Sequence, residues 1–332
     1  MAPSHLTGAS ILAAIALASA LSQRQAGSTS TVDLSERYQT IDGFGFSEAF
    51  QRANGIVELP EPKRSEVVDL LFNATKEAGF TIMRDCIGSS PNSNLDWMDT
   101  ILPEGPDSPD GELEYVWDGD DSGRLWVAQQ GRQVDSSAPG FTKSNGQDSN
   151  GGGVCGSPGL YTEEGVEIAH LGLLNEPDIT TNHASMRTDG AQATDFIWWE
   201  GTQDSATNNN KNEKLILVDG GDYEVDKRVW AHAQYSRAIR PGAARVGVSG
   251  GRNMKLAASE NEDGMIAVNV ISAGQGAAAF AVDGITAESA TAWVTDTEHD
   301  MDETRATVGE DGSVGGITVP ANGMVSVVIQ PR

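Results

Sequence analysis

The segment Leu173-Leu174-Asn175-Glu176-Pro177-Asp178 holds the residues of this 332-residue chain best suited to chemistry. An apolar run, Val166 to Leu174, precedes it and reads as a β-strand, so Glu176 falls at a strand's C-terminal end. In a parallel barrel that is where reacting groups project. A carboxylate there suits general acid/base work on a glycosidic bond, with a second carboxylate about 5–5.5 Å away as nucleophile when configuration is retained. The amide of Asn175 is placed to hydrogen-bond a sugar 2-hydroxyl. The same residues also fit a plainer role, a loop carboxylate beside the turn-forming Pro177.

Other chemistries find less support. His183, His232 and His299 have no metal-ligand spacing, and no Gly-rich phosphate loop follows a strand. Asp118-Gly119-Asp120-Asp121-Ser122-Gly123 resembles the start of a calcium loop, but position twelve is Gln129 and the preceding Glu112 to Trp117 is strand-like. A helix N-cap by Asp121 or Ser122 is the expectation there, and no metal or other cofactor is expected. Two cysteines, Cys86 and Cys155, are too few for a four-thiolate zinc site; they either pair or stand alone. A formal charge of −26 opposes nucleic-acid and anionic-membrane partners, which need clustered Lys and Arg.

The elements that must position Glu176 follow an alternating order. Residues 28–39 alternate polar and apolar residues around Val32, Leu34 and Tyr38, as a short strand does. Thr40 to Phe46 reads as a buried strand opening into a Gly-permitted turn, Pro62 to Ala78 as a helix, and Phe80 to Arg84 as the next strand. Strand, helix, strand with short links is the unit of a parallel α/β fold. A long Pro- and Asp-rich loop spans Gly88 to Asp121, and Ser122 to Gln130 is a short helix. Phe196-Ile197-Trp198-Trp199 and Leu215 to Val218 are further strands, and Tyr223 to Ile239 reads as helical up to Pro241-Gly242. Beyond that boundary, alternating runs recur at Ala244 to Val248, Leu256 to Ser259, Met265 to Ser272, Ala277 to Val282, Thr291 to Thr295, Ser313 to Thr318 and Met324 to Ile329, the pattern of a β-sandwich.

Residues 1–20 combine the apolar run Ile11 to Leu17 with Ala18-Ser19-Ala20, a small-x-small cleavage pattern, and read as a signal peptide cut after Ala20. The run is too short to span a bilayer, so a secreted, extracellular, monomeric protein is expected. In that setting Asn73-Ala74-Thr75 is a glycosylation sequon.

Five stretches together carry a resemblance: Tyr38 to Phe50, Tyr115 to Gly119, Ser137 to Phe141, His170 to Asp178 and Gln234 to Gly242. They resemble glycoside hydrolase family 30, most closely its fungal branch acting on xylan, with the fungal β-1,6-galactanases as near relatives. The resemblance runs, with interruptions, from about Val32 to the C-terminus. It implies a (β/α)8 (TIM) barrel over 31–241 with a side-packed β-sandwich over 242–332, retaining chemistry on a polysaccharide, and Glu176 as acid/base. It also implies that Arg84 is the cleft arginine holding carboxylates in place, or else a salt-bridged structural arginine. Trp199 becomes an aromatic platform for a sugar ring, or core. Arg52, just past the first barrel strand, becomes a reader of a glucuronic acid branch, or a solvated surface residue.

Length argues against a complete barrel. About 250 residues make one, roughly 30 per strand-helix unit, so about 120 should separate the fourth-strand acid/base from the last helix. Only about 48 separate Glu176 from Glu224. The segment in which the family carries its strand-7 nucleophile is missing, with the join near Asp195-Phe196. Glu200 is a weak substitute, since the family has a neutral residue there. The third strand is expected in abbreviated form around Gly131 to Asp135, much of the third helix is lost near Gly156 to Leu160, and Cys155 has lost its family disulfide partner. A catalytically inactive carbohydrate-binding remnant is therefore a second reading. Unpaired barrel edges would favour aggregation, with the sandwich the sounder part.

Overall fold

The computed structural model describes residues 29–87, 101–104, 107–108, 111–112, 114–135, 140–145, 159–172, 193–206, 214–251 and 253–332. Asn175, Glu176, Cys155 and the expected signal peptide at residues 1–20 lie outside them. The chain forms two compact units: one gathers the chain up to Tyr38 with Arg245–Arg332, and the other is Gln39–Ala244. Strand β1 (Ser30–Thr40), expected with the barrel, departs from that assignment. Its first residues pair in parallel with the C-terminal part of the chain, Ser30 opposite Phe280 and Val32 opposite Val282, which draws it into the other unit.

The unit Gln39–Ala244 is built on a parallel sheet. Strands β2 (Gly43–Ser47), β3 (Ile82–Ile87), β4 (Gly140–Asn145), β5 (Ile168–Gly172) and β6 (Asp195–Trp198) lie in the order β5-β4-β3-β2-β6, every neighbour pair parallel. Helices α1 (Ala53–Val57), α2 (Lys63–Phe72) and α3 (Arg124–Val134) fill the connections. Among the described residues the sheet has five strands where a complete barrel has eight. The pairing of β6 with β2, from Gly43 opposite Asp195 to Phe46 opposite Trp198, is the neighbour relation that joins the last strand of a closed barrel to its first. It places the sequence after the expected join where strand eight belongs.

Four local expectations are corrected. Residues 131–134 are the end of α3, not an abbreviated strand; Gly131 there passes so close to the Phe72 ring that a Cβ would lie 2.8 Å from it. The third strand is β4, paired from Ile82 opposite Gly140 to Ile87 opposite Asn145. Residues 222–225 are not helical but form β9 (Asp222–Val225), the second arm of a hairpin with β8 (Ile216–Asp219), because Gly220 and Gly221 adopt φ +55° and +81° between them. Strand β7 (Thr202–Asp204) adds to β8 in parallel. Helix α4 (Lys227–Ser236) starts only at Asp226, whose carboxylate accepts from the Arg228 N–H at 3.0 Å. Finally, residues 114–118 are irregular rather than strand-like, and α3 is capped by Gly123 at φ +80° with no side-chain cap.

The acidic run before α3 is spent on structure. Asp120 accepts from the Gly123 N–H at 3.2 Å, and Asp121 pairs with Arg124 and receives the Tyr161 hydroxyl at 2.5 Å. Arg124, 1% exposed, also bonds Asp85 at 2.8 Å. No cluster of three metal-ligating side chains occurs among the described residues. Beneath the sheet, Phe46 packs against Phe72 and Phe80 with ring centroids 5.7 and 5.4 Å away.

The other unit adds β10 (Ala244–Ser249), β11 (Met254–Glu260), β12 (Ile266–Ser272), β13 (Gly276–Val282), β14 (Ala287–Thr295), β15 (Asp300–Thr304), β16 (Thr307–Val308), β17 (Val314–Val319) and β18 (Gly323–Pro331). With β1 they make one ten-stranded sheet in the order β15-β14-β18-β12-β11-β10-β1-β13-β17-β16. It curls until its two ends meet, β14 lying against β16 and β17, so both inner faces share one core that includes Val32, Val268, Phe280, Ile317 and Val327. The alternating runs thus do build a two-layer β unit, from a single sheet folded over. No described helix is long and apolar enough to cross a membrane.

The parallel sheet depends on close backbone approach at Gly45, where a Cβ would stand 1.8 Å from the Ile82 carbonyl oxygen. Gly45→Ala is expected to destabilise the unit by about 3 kcal/mol in urea unfolding followed by tryptophan fluorescence. Gly274→Ala, whose Cβ meets nothing within 4 Å, is the control and should shift stability by less than about 0.5 kcal/mol.

Candidate active-site cleft

The C-terminal ends of β2 and β6, with Arg84 from the middle of β3, bring together the expected Arg84, Trp199 and Arg52, together with Glu48 and Glu200. Parallel register aligns Ser47 with Arg84, and the Glu48 N–H donates to the Arg84 carbonyl at 3.0 Å. Arg84 donates from Nη1 to the Ser47 hydroxyl at 3.3 Å, and its guanidinium lies 5.5 Å from the centroid of the Trp199 ring. Trp199 in turn meets Phe50 edge-on at 5.5 Å. Trp199 is half-buried, with one neighbour aromatic and the other cationic. The Trp199–Glu200 peptide bond is cis.

Behind this half-exposed layer lies a buried polar one. Arg52 is not a solvated surface residue: its side chain is 7% exposed and its Nε stands 3.1 Å from Glu200 Oε1. Its Nη1 donates to the Phe50 carbonyl at 2.9 Å. Glu200 is 1% exposed, with its carboxylate against Arg52. Glu48, fully buried, accepts the Thr202 hydroxyl on Oε2 at 2.6 Å, and the same hydroxyl lies 3.0 Å from the Arg52 carbonyl. Its other oxygen accepts no hydrogen bond among the described residues. Gly201 makes the approach possible, since a Cβ there would stand 2.2 Å from Glu48 Oε1.

Sequence reasoning overlooked Glu48, although a carboxylate flanked by Phe46, Ala49 and Phe50 at the end of a buried strand was the available signal. Burial raises its carboxyl to about 8, with the charge of Glu200 adding to the rise and the Thr202 hydrogen bond and Arg52 opposing it. Asn73 is also more engaged than a bare sequon suggests. Its Nδ2 donates to Asp69 at 3.0 Å while its Oδ1 accepts from the Thr75 and Lys76 N–H groups.

A cavity of about 570 Å³ opens beside these residues, walled by Phe50, Arg52, Leu59, Asp204, Val218 and Asp219. It lies within the range of small-molecule sites, roughly 300–1,000 Å³. Aromatic faces, a guanidinium and carboxylates are the groups that hold sugar rings and their hydroxyls.

The raised carboxyl of Glu48 makes stability depend on pH with a definite sign. Between about 4.5 and about 8 the folded chain keeps a proton that the unfolded chain has released, so this contribution is full below 4.5 and is lost as pH rises through 8. The slope is at most about 1.4 kcal/mol per pH unit. Urea midpoints measured from pH 5 to 8 should fall more steeply in the parent than in Glu48→Gln; parallel profiles would show that Glu48 is ionised in the folded state.

No family model matches the chain. Solved structures do. The catalytic domain of GH30 xylanase C from Talaromyces cellulolyticus aligns with a TM-score of 0.76 over 91% of this chain and 100% of that one, at 23% identity. The endo-beta1,6-glucanase BT3312 aligns at 0.66 over 92% and 95%, with 12% identity. The glycoside hydrolase family 30 subfamily 8 xylanase Xyn30A from Clostridium acetobutylicum aligns at 0.58 over 91% and 99%, with 15% identity. At these identities the likeness is one of architecture, and on it the chain has a GH30-like fold, a TIM-barrel-like domain together with a β-rich part.

Proposed function

We propose that this protein is a secreted, extracellular glycoside hydrolase of the retaining, β-specific kind, engaging plant hemicellulose with xylan ahead of β-1,6-galactan. Glu176 is its acid/base and Asn175 its 2-hydroxyl partner. The observation that carries the proposal is the meeting of Trp199 and Phe50, which follow the C-terminal ends of β6 and β2, with Arg84 of β3, beside a cavity of about 570 Å³. Barrel enzymes do their chemistry on that face. The structural neighbours, two xylanases and a β-1,6-glucanase, favour β-linked glycans.

A second reading, glycan binding without hydrolysis, has its own observation. Glu48 and Glu200 are both buried, and Glu200 is held by Arg52. Neither presents a carboxylate to a substrate as a retaining nucleophile must. Hydrolysis is accordingly expected to be weak.

Reducing-sugar release from linear xylan and β-1,6-galactan, measured beside retention on insoluble xylan, tests both readings. The parent and Glu176→Gln should be retained alike, while the weak release by the parent falls at least about 100-fold in Glu176→Gln. Release that survives Glu176→Gln would overturn the acid/base assignment. Retention without any release by the parent would establish the binding reading, and the absence of both would overturn the proposal.

A further inference from the structure

The cavity beside Arg52 has an electrostatic character opposite to what a uronate reader needs. Resting on the carbohydrate reading above, we propose that it is a subsite for a neutral sugar residue and that it rejects glucuronic acid branches. Its lining is mostly polar, with Leu59 and Val218 nearly buried beneath it and Phe50 as its aromatic member. Phe50 and Gln51 stand at φ +57° and +64°, two successive left-handed residues without a glycine, a conformation that persists only where the surroundings enforce it. A single aromatic side chain among polar groups suits the C–H face of a pyranose whose hydroxyls meet the polar lining.

Charge then selects the sugar. The cavity's cation, Arg52, is turned to Glu200 at 3.1 Å, so its charge is already answered inside the protein. Three acidic side chains, Glu58, Asp204 and Asp219, line the same space, and Asp219 accepts the Ser205 hydroxyl at 2.9 Å. Carboxylates only accept hydrogen bonds, so they match the hydroxyl donors of a neutral sugar and repel a uronate. The whole chain, at −26, adds a long-range repulsion of the same sign.

Calorimetric titration of the intact chain with xylotetraose, and with xylotetraose carrying one glucuronic acid, tests the proposal. The neutral oligosaccharide should bind at least about tenfold more tightly at low ionic strength, and added salt should narrow the gap. Glu58→Gln with Asp219→Asn, both at exposed positions, should narrow it further at an unchanged melting temperature. Ser205→Trp, at an exposed wall position, should fill the space and weaken neutral binding about tenfold or more. Equal or tighter binding of the acidic oligosaccharide would overturn the selectivity and leave the carbohydrate reading standing. Neutral binding unaffected by Ser205→Trp would overturn the location. Failure of both oligosaccharides to bind would overturn this proposal and the carbohydrate reading together.

Discussion

Parallel pairing of β6 with β2 positions nearly everything else in the cleft. It sets Phe46 opposite Trp198, so the residues that leave both strands emerge together. Ser47 accepts from the Gly201 N–H at 2.8 Å, which carries the register past the strand ends and delivers Thr202 to Glu48. The pairing with β3 on the other side of β2 then brings Arg84 over Trp199. Two glycines make this possible: without a Cβ at 45 the β2–β3 backbones meet, and without one at 201 Glu48 is admitted. The site is therefore a consequence of how closely three strands approach, more than of any one polar contact.

The legible part of the fold was the part that periodicity can carry. Strands β2, β3, β5, β6 and β8 are short apolar runs bounded by turn residues, and most strands of the C-terminal unit alternate cleanly. The errors have physical causes. Asp222 to Val225 lies in an apolar-polar pattern compatible with either period, and two left-handed glycines decide for a hairpin. Residues 131–134 extend α3 because a glycine lets that helix approach the Phe72 ring, a tertiary fact with no local signal. The pairing of β1 with β13 spans most of the chain, and no window of sequence contains it.

The site was legible unevenly. Arg84, Trp199 and Arg52 were reached through family resemblance, and three strands do bring them together. Resemblance could name Arg52 but could not say which way its charge was spent, because that depends on Glu200, a residue the family pattern does not supply. Glu48 and the Arg124–Asp85–Asp121 group were missed because charge in a sequence reads as surface by default. Only burial reveals that these carboxylates are internal.

Burial also fixes what the inner carboxylates do. A charge taken out of water needs a counter-ion or a proton, and the structure supplies one of each: Arg52 for Glu200, and the raised carboxyl for Glu48. With that division the cluster holds two acids and one base at almost no net charge, which is the condition for its sitting beneath the cleft. A nucleophile needs the reverse, an ionised oxygen with an open face toward the sugar. The buried position of Glu200 thus goes with its contact to Arg52, and that contact belongs to the inner polar layer on which Glu48 and Thr202 also depend.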